Sequence, residues 1–339
     1  MPDIQSDVSL QSLNTLALPA RAEHFFRASD RESLREALAW ARQRGYAVTV
    51  LGGGSNVVLR DNIPGLVVAV AIPGIVLEDT EGEKLCVRVG AGENWHQLVR
   101  HSLSRGWFGL ENLSLIPGLA GAAPIQNIGA YGVEFCEHFH SLEALHIASG
   151  ETVTLTSADC RFGYRDSFFK QDGRDQFAIT SVTLSLSTEP SLRLDYPALQ
   201  QALAQRNVAE VTPELVSEVV CDIRRSKLPD PSELPNVGSF FKNPVIPADR
   251  AEALKAVHPD MVAYPQADGR VKLAAGWLVD RAGWKGAMRG GVGVHRQQAL
   301  VLINRGGTAG ELLALAEDIR RSVLTMFDVD LELEPRVYP

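Results

Sequence analysis

The stretch VTVLGGGSNVVLR, residues 48 to 60, sets three glycines, a serine and an asparagine between two runs of β-branched residues. A turn of that composition leading from strand to strand closes off the two standard phosphate-binding architectures. A Walker A loop ends in Lys followed by Ser or Thr, and here Asn56 and Val57 follow Ser55. A Rossmann fingerprint needs a third spaced glycine and then a helix, whereas Val57 occupies that position and a strand follows. What remains is a strand–turn–strand whose backbone N–H groups either form an anion nest or merely close a hairpin. This stretch alone does not choose between them.

The neighbouring pattern is strand-rich. Ser29 and Glu32 predict a capping box ahead of LREALAWARQRG, in which Leu34, Leu38 and Ala41 share one helical face and Gly45 ends the helix. Strands are expected at Val48–Leu51, Val57–Leu59, GLVVAV, LCVRVGAG, LEALHIA, ETVTLTS and FAITSVTLSLS, with one short helix at NWHQLVRHSLSRG. This is α+β, without the regular βαβ alternation of a doubly wound sheet. Helical patterns return in YPALQQALAQRN and PELVSEVVCDIRRSK. A rigid connector follows, carrying Pro229, Pro231 and Pro235. Further on lie a helix around Leu273 to Ala282 and a strand in QALVLINRG. A long helix capped by Thr308 and Glu311 precedes a last strand, Val329 to Leu333.

At 339 residues the chain has room for about two domains. A net charge of −8 argues against a broad nucleic-acid surface, which needs clustered Lys and Arg. Cys86, Cys136, Cys160 and Cys221 are far apart and form no CxxC pair, which disfavours zinc and a disulfide framework; no metal is expected. The N-terminal residues show no signal-peptide pattern, and no apolar run reaches the roughly 18 residues of a membrane span. The expectation is a cytoplasmic protein that acts on a small molecule, with no nucleic acid, membrane or obligate protein partner.

A second glycine-rich stretch, LSLIPGLAGAAPIQNIGAYGVE at residues 113 to 134, leaves a backbone that a large flat ligand could lie against. Gln126 and Asn127 there can donate or accept hydrogen bonds. Two such stretches in one strand-rich region suggest a dinucleotide lying across it. With GYRDSFFK, KLPDP, NVGSFFKNP, AGWLVDRAGWKG, VHRQQALVLIN and LELEP, they resemble the UDP-N-acetylenolpyruvoylglucosamine reductase family over nearly the whole chain, in the family's order. The resemblance implies a vanillyl-alcohol-oxidase (PCMH) type of FAD-binding domain plus a C-terminal α+β substrate-binding domain. It also implies non-covalent FAD, NADPH as hydride donor, and reduction of an enolpyruvyl UDP-sugar in peptidoglycan precursor synthesis. The expected partition is 1–72 with the strand 329–339 and 73–223 for the flavin, and 224–328 for the substrate. A flavoenzyme of the same fold acting on another substrate, and a non-catalytic nucleotide-sugar binder, are the alternatives.

Residue by residue, the resemblance carries the flavin contacts to Gly52, Gly53, Gly54, Ser55, Asn56, Pro117, Gly118, Gly121, Ala122, Gln126, Asn127 and Gly129. Substrate contacts carry over to Tyr131, Tyr164, Tyr196, Lys227, Asn243 and Gln297. The tyrosine-bearing segment at Tyr196 resembles the longer form of the enzyme, in which a loop folds over the sugar nucleotide. Lys227 with Arg224 and Arg225 forms a basic cluster suited to a diphosphate, or else a solvated charge run at a helix end. Catalytic roles fall on Arg165, which polarises the substrate carboxylate, Ser239, the proton donor, and Glu334. Without the resemblance, Arg165 reads as the partner of Asp166, Ser239 as a loop serine, and Glu334 as part of an acidic face with Asp330 and Glu332. Lys242 or a bound water is a candidate neighbour to ease proton loss from Ser239. Relatives usually read Glu-Pro-Glu-Val-Arg where this chain reads Glu334-Pro335-Arg336-Val337-Tyr338, so the surroundings of Glu334 are the open question.

Overall fold

The computed structural model describes residues 2–206 and 208–339. Backbone contacts divide the chain into two compact units, 1–8 with 21–54 and 63–226, and 9–20 with 55–62 and 227–339.

In the first unit a four-stranded sheet has the order Gln5–Ser9, Arg21–Ala28, Ile63–Val70, Val48–Leu51. Ile63–Val70 is parallel to both Arg21–Ala28 and Val48–Leu51. Its near-continuous apolar run is what a parallel strand covered on both faces requires. The helix Arg31–Arg44 makes the crossover and seats Leu34, Ala37, Leu38 and Ala41 against Phe26, Leu66 and Val68. Its cap lies one residue later than the sequence suggests. Asp30, not Ser29, accepts from Ser33 N–H at 2.7 Å, and Ser33, not Glu32, answers from the third position. The reason is electrostatic: a carboxylate at the N-cap gains from the helix dipole as well as the hydrogen bond. Gly45 ends the helix at φ 71° as expected.

The same unit holds a five-stranded antiparallel sheet ordered Thr152–Thr156, Phe139–His146, Phe177–Ser187, Lys84–Gly90, Ile75–Glu81. Trp95, Leu98 and Val99 of the helix Trp95–Ser104 share its core with Phe135, Leu142 and Leu184. Asn94 caps that helix at Gln97 N–H, 3.0 Å. Helices Pro197–Arg206 and Pro213–Lys227 make a smaller cluster through Leu199, Leu203, Val216 and Val220.

The second unit contains an antiparallel sheet ordered Asn236–Ser239, Val301–Asn304, Val292–Val294, Met288–Arg289. Its core joins Phe240, Phe241 and Leu302 to Leu312, Leu315, Ile319 and Val323 of the helix Ala309–Phe327. Thr308 and Glu311 cap that helix reciprocally, at 3.2 and 2.7 Å. The sequence places the last strand at Val329–Leu333, and here it is corrected. That segment is extended with only a single bridge, Leu333 to Phe241, and the last strand is Arg336–Tyr338, parallel to Val57–Leu59. Alternation alone cannot tell a strand from an extended run with no ladder partner. Val329 and Leu331 are buried and Asp330 and Glu332 exposed, as the alternation requires.

Candidate active site

The two glycine-rich stretches meet within the first unit. A Cβ placed on Gly53 would lie 3.1 Å from the Cα of Gly118, so the backbone of the second loop is what comes close to the first. Gly54 sits at φ 61°, where a side chain is strained. Gly52 meets only Ala122 Cβ, at 3.5 Å, an ordinary contact, so neither packing nor backbone conformation demands it. A small residue there leaves main-chain N–H groups approachable, which fits a flat or phosphorylated ligand such as FAD.

The second stretch is held in an uncommon backbone conformation. Leu115, Asn127, Tyr131 and Arg165 all have positive φ, between 47° and 57°, and all belong to or border this loop. Such outliers persist only where the surroundings over-determine them. Asn127 is one determinant. Its side chain is wholly buried: Nδ2 donates to Glu134 Oε2 (2.9 Å) and Gly163 O (3.1 Å), and Oδ1 accepts from Cys136 N–H (3.0 Å). The side chain of Asn127, expected to face the flavin, is therefore spent on shaping the loop. Pro117 is exposed, while Gly118, Gly121, Ala122, Gln126 and Gly129 are half-buried.

Arg165 donates from Nη2 to Gly129 O at 2.9 Å and packs its guanidinium 5.4 Å from the Tyr164 ring centroid. Asp166 is engaged by Gln171 Nε2 (2.9 and 3.1 Å) and by Ser167 N–H (2.9 Å). The structure thus turns Arg165 onto the glycine-rich loop. Arg224 is half-buried and donates Nε–H to Leu115 O at 3.2 Å. Burial lowers its affinity for the proton, the nearby Tyr131 and Cys221 counter that, and the charge of Arg165 adds to it. That Arg224 feels the charge of Arg165 makes this part of the loop favourable to an anion. The predicted basic cluster divides: Arg225 pairs with Asp222 at 3.6 Å, and Lys227 is exposed at the helix end.

Tyr131 and Tyr196 meet edge to face, centroids 5.2 Å apart, and burial pushes the Tyr131 hydroxyl up to about 12. Tyr131 is half-buried; Tyr196 is exposed.

In the second unit Ser239 owes its position to a β-bulge. Asn236 faces Ile303 and Ser239 faces Val301, which leaves one residue too many on the first strand, with Gly238 at φ 71°. Buried Asn236 fixes the bulge by donating to Pro229 O (3.1 Å) and Leu234 O (2.8 Å) and accepting from Gly238 N–H (2.8 Å). Glu334 is brought alongside, its N–H donating to Phe240 O at 3.0 Å. Asn56 pins the same segment from the other side: Nδ2 donates to Glu334 O at 3.4 Å and its carbonyl accepts from Arg336 N–H at 3.0 Å. The unusual C-terminal residues build this arrangement, since Arg336 opens the terminal strand and lies 4.3 Å from the Tyr338 ring centroid. Lys242, the candidate neighbour of Ser239, pairs its ammonium with Glu332. Asn243 caps the helix Ala275–Arg281, its Oδ1 accepting from Ala275 N–H at 2.9 Å, and Gln297 is exposed in the turn before Val301.

Sequence reasoning missed Asn112, Asn236 and the inward turn of Arg224. Asn236 carried a faint signal, an amide two residues before a glycine after a proline-rich loop. Asn112 carried none.

Fold and loops together define an FAD-binding protein of the vanillyl-alcohol-oxidase type. A family model described as FAD binding domain matches residues 22–156, and one described as UDP-N-acetylenolpyruvoylglucosamine reductase, C-terminal domain, matches residues 230–338. The chain is 50% identical over 337 residues to the UDP-N-acetylenolpyruvoylglucosamine reductase of Pseudomonas aeruginosa, covering 99% of each chain. It is 51% identical over 329 residues to that of Paraburkholderia xenovorans, covering 96% of this chain and 95% of the relative. The crystal structure of the Thermus caldophilus enzyme shares the fold at TM-score 0.69, 24% identity and full coverage of both chains. The chain belongs to the UDP-N-acetylenolpyruvoylglucosamine reductase family, whose members are FAD-dependent oxidoreductases.

Proposed function

We propose that this protein reduces the enolpyruvyl ether of UDP-N-acetylglucosamine to UDP-N-acetylmuramate in peptidoglycan precursor synthesis, in the cytoplasm, with residues 1–223 and the C-terminal strand serving the flavin and 224–328 the sugar nucleotide. The observation that carries the reading is the pair of small-residue loops packed backbone to backbone at Gly53 and Gly118. Bound FAD, recharged by NADPH, supplies the hydride that no side chain can provide. Gly52, Gly53, Gly54, Ser55 and Asn56 would receive its pyrophosphate, and the loop from Pro117 to Gly129 its ring system.

The chain's own residues do the rest. Arg165, with Arg224 in electrostatic reach, stabilises the charge that grows on the substrate carboxylate. Ser239 delivers the proton from Oγ to the carbon next to the carboxylate. Glu334, whose backbone is fixed to Phe240 and Asn56, orients the reacting end. Tyr131, Tyr164, Tyr196, Lys227, Asn243 and Gln297 bind the remainder of the substrate. The test is NADPH oxidation by the purified yellow protein. Oxidation that requires the enolpyruvyl UDP-sugar and yields UDP-N-acetylmuramate supports the proposal; oxidation indifferent to that substrate refutes it.

A further inference from the structure

Asn112 is 1% exposed and sits in the short turn Glu111–Leu113, just ahead of the second glycine-rich stretch, and has no role assigned from the sequence. Both protons of its Nδ2 are used, one on Tyr131 O and the other on Arg193 O, each at 2.8 Å. One buried amide therefore joins the left-handed turn at Tyr131 (φ 50°) to the segment that leads into Tyr196. That segment alternates: Leu192 and Leu194 pack on the Leu199–Val216 cluster, while Arg193 and Asp195 face outward, Arg193 at 3.3 Å from Glu137. The leucines hold the segment down, but apolar contacts are not directional and would tolerate sliding along it. The two amide bonds are directional, and they fix the register that sets the Tyr131–Tyr196 ring pair. The turn itself is anchored, Ser114 Oγ lying 2.7 Å from Ser217 Oγ, and Gly109 N–H donating to Glu111 Oε2 at 2.8 Å.

We propose that Asn112 is a positioning residue for the reaction, docking the 191–196 segment onto the Tyr131 turn so that Tyr196 is presented to the sugar nucleotide. The inference rests on the reading above that the two tyrosines bind that substrate. Asn112→Leu keeps the volume and removes both donors. It should raise KM for the enolpyruvyl UDP-sugar roughly ten- to a hundred-fold, the scale of two lost hydrogen bonds, with flavin content and flavin reduction at saturating NADPH unchanged. Because Asn112 acts through Tyr196, Tyr196→Ala should add little in the Asn112→Leu background. Trypsin should cut the Arg193–Leu194 bond at least about ten-fold faster, with cleavage elsewhere unaltered, since local opening sets the rate. Multiplying KM effects, or an unchanged KM, would overturn the role of Asn112 and leave the tyrosines as substrate contacts. A Tyr196→Ala protein with normal KM would remove that substrate contact and the inference with it. Should Asn112→Leu not retain FAD, Asn112→Ser, with one short donor, carries the same comparison, and unchanged trypsin cleavage at Arg193 would refute the docking.

Discussion

Replacing Ser239 with alanine separates a proton donor from a structural serine, and the structure sets the numbers for both outcomes. Ser239 is half-buried at the end of a bulge maintained by Asn236 and Gly238, and its hydroxyl bonds to no other described residue. Its loss removes no internal hydrogen bond and opens no core cavity. The stability change should stay within about 0.5 kcal/mol, less than roughly 2 °C in Tm for a chain of this size. Flavin reduction by NADPH should likewise be untouched, because no proton is delivered to the substrate in that half-reaction. Reoxidation by the enolpyruvyl UDP-sugar should slow by about 10²–10⁴-fold, the ordinary contribution of a positioned general acid. That span corresponds to roughly 3–5 kcal/mol of lost transition-state stabilisation. Ser239→Cys keeps an ionisable proton in nearly the same place and should recover part of the rate. Stopped-flow traces of the two half-reactions, with a thermal melt of each variant, decide the matter. Equal slowing of both half-reactions, or a fall in Tm of more than about 5 °C, would refute the assignment.

Two further outcomes follow from the loops. Gly54→Val forces a β-branched residue into φ 61°, at a cost of about 1–3 kcal/mol, and the purified protein should carry much less FAD than Gly53→Ala. The Gly53 Cβ asks Gly118 to give by only a few tenths of an ångström, so full flavin content in Gly54→Val with loss in Gly53→Ala would reverse the reasoning. His96 accepts from Leu115 N–H at Nδ1 (2.9 Å), and burial, aided by Arg100, Arg225 and Arg224, holds its pKa below the usual 6.5. The unfolded chain therefore takes up a proton that the folded one refuses. Its contribution to stability is complete above pH 6.5 and declines as pH falls below that value. Between pH 7.5 and 5.5, values chosen about one unit either side of the unperturbed pKa, Tm should drop more steeply in the parent than in His96→Asn, as read by thermal melts. Parallel curves would contradict it.

Local physics made much of the molecule legible in one dimension. Thr308 with Glu311, and Gly45 after an apolar stripe, mark helix ends because caps satisfy main-chain groups within four residues. The runs at Phe177–Ser187 and Val48–Leu51 read as strands because side-chain alternation and β-branching act residue by residue. The glycine-rich stretches and GSFFKNP point to the family because the composition of a backbone-exposed loop is restricted wherever it lies. Tertiary structure alone decided the pairings between distant segments. Arg336–Tyr338 becomes the last strand only because Val57–Leu59 offers it a free edge. Val329–Leu333, equally alternating, forms only a single bridge, at Leu333 to Phe241. Asn56, Asn112 and Asn127 share this dependence, through Glu334, Arg193 and Gly163. An amide's role is set by which carbonyls the fold brings within hydrogen-bonding reach of it, and sequence spacing holds no record of that distance.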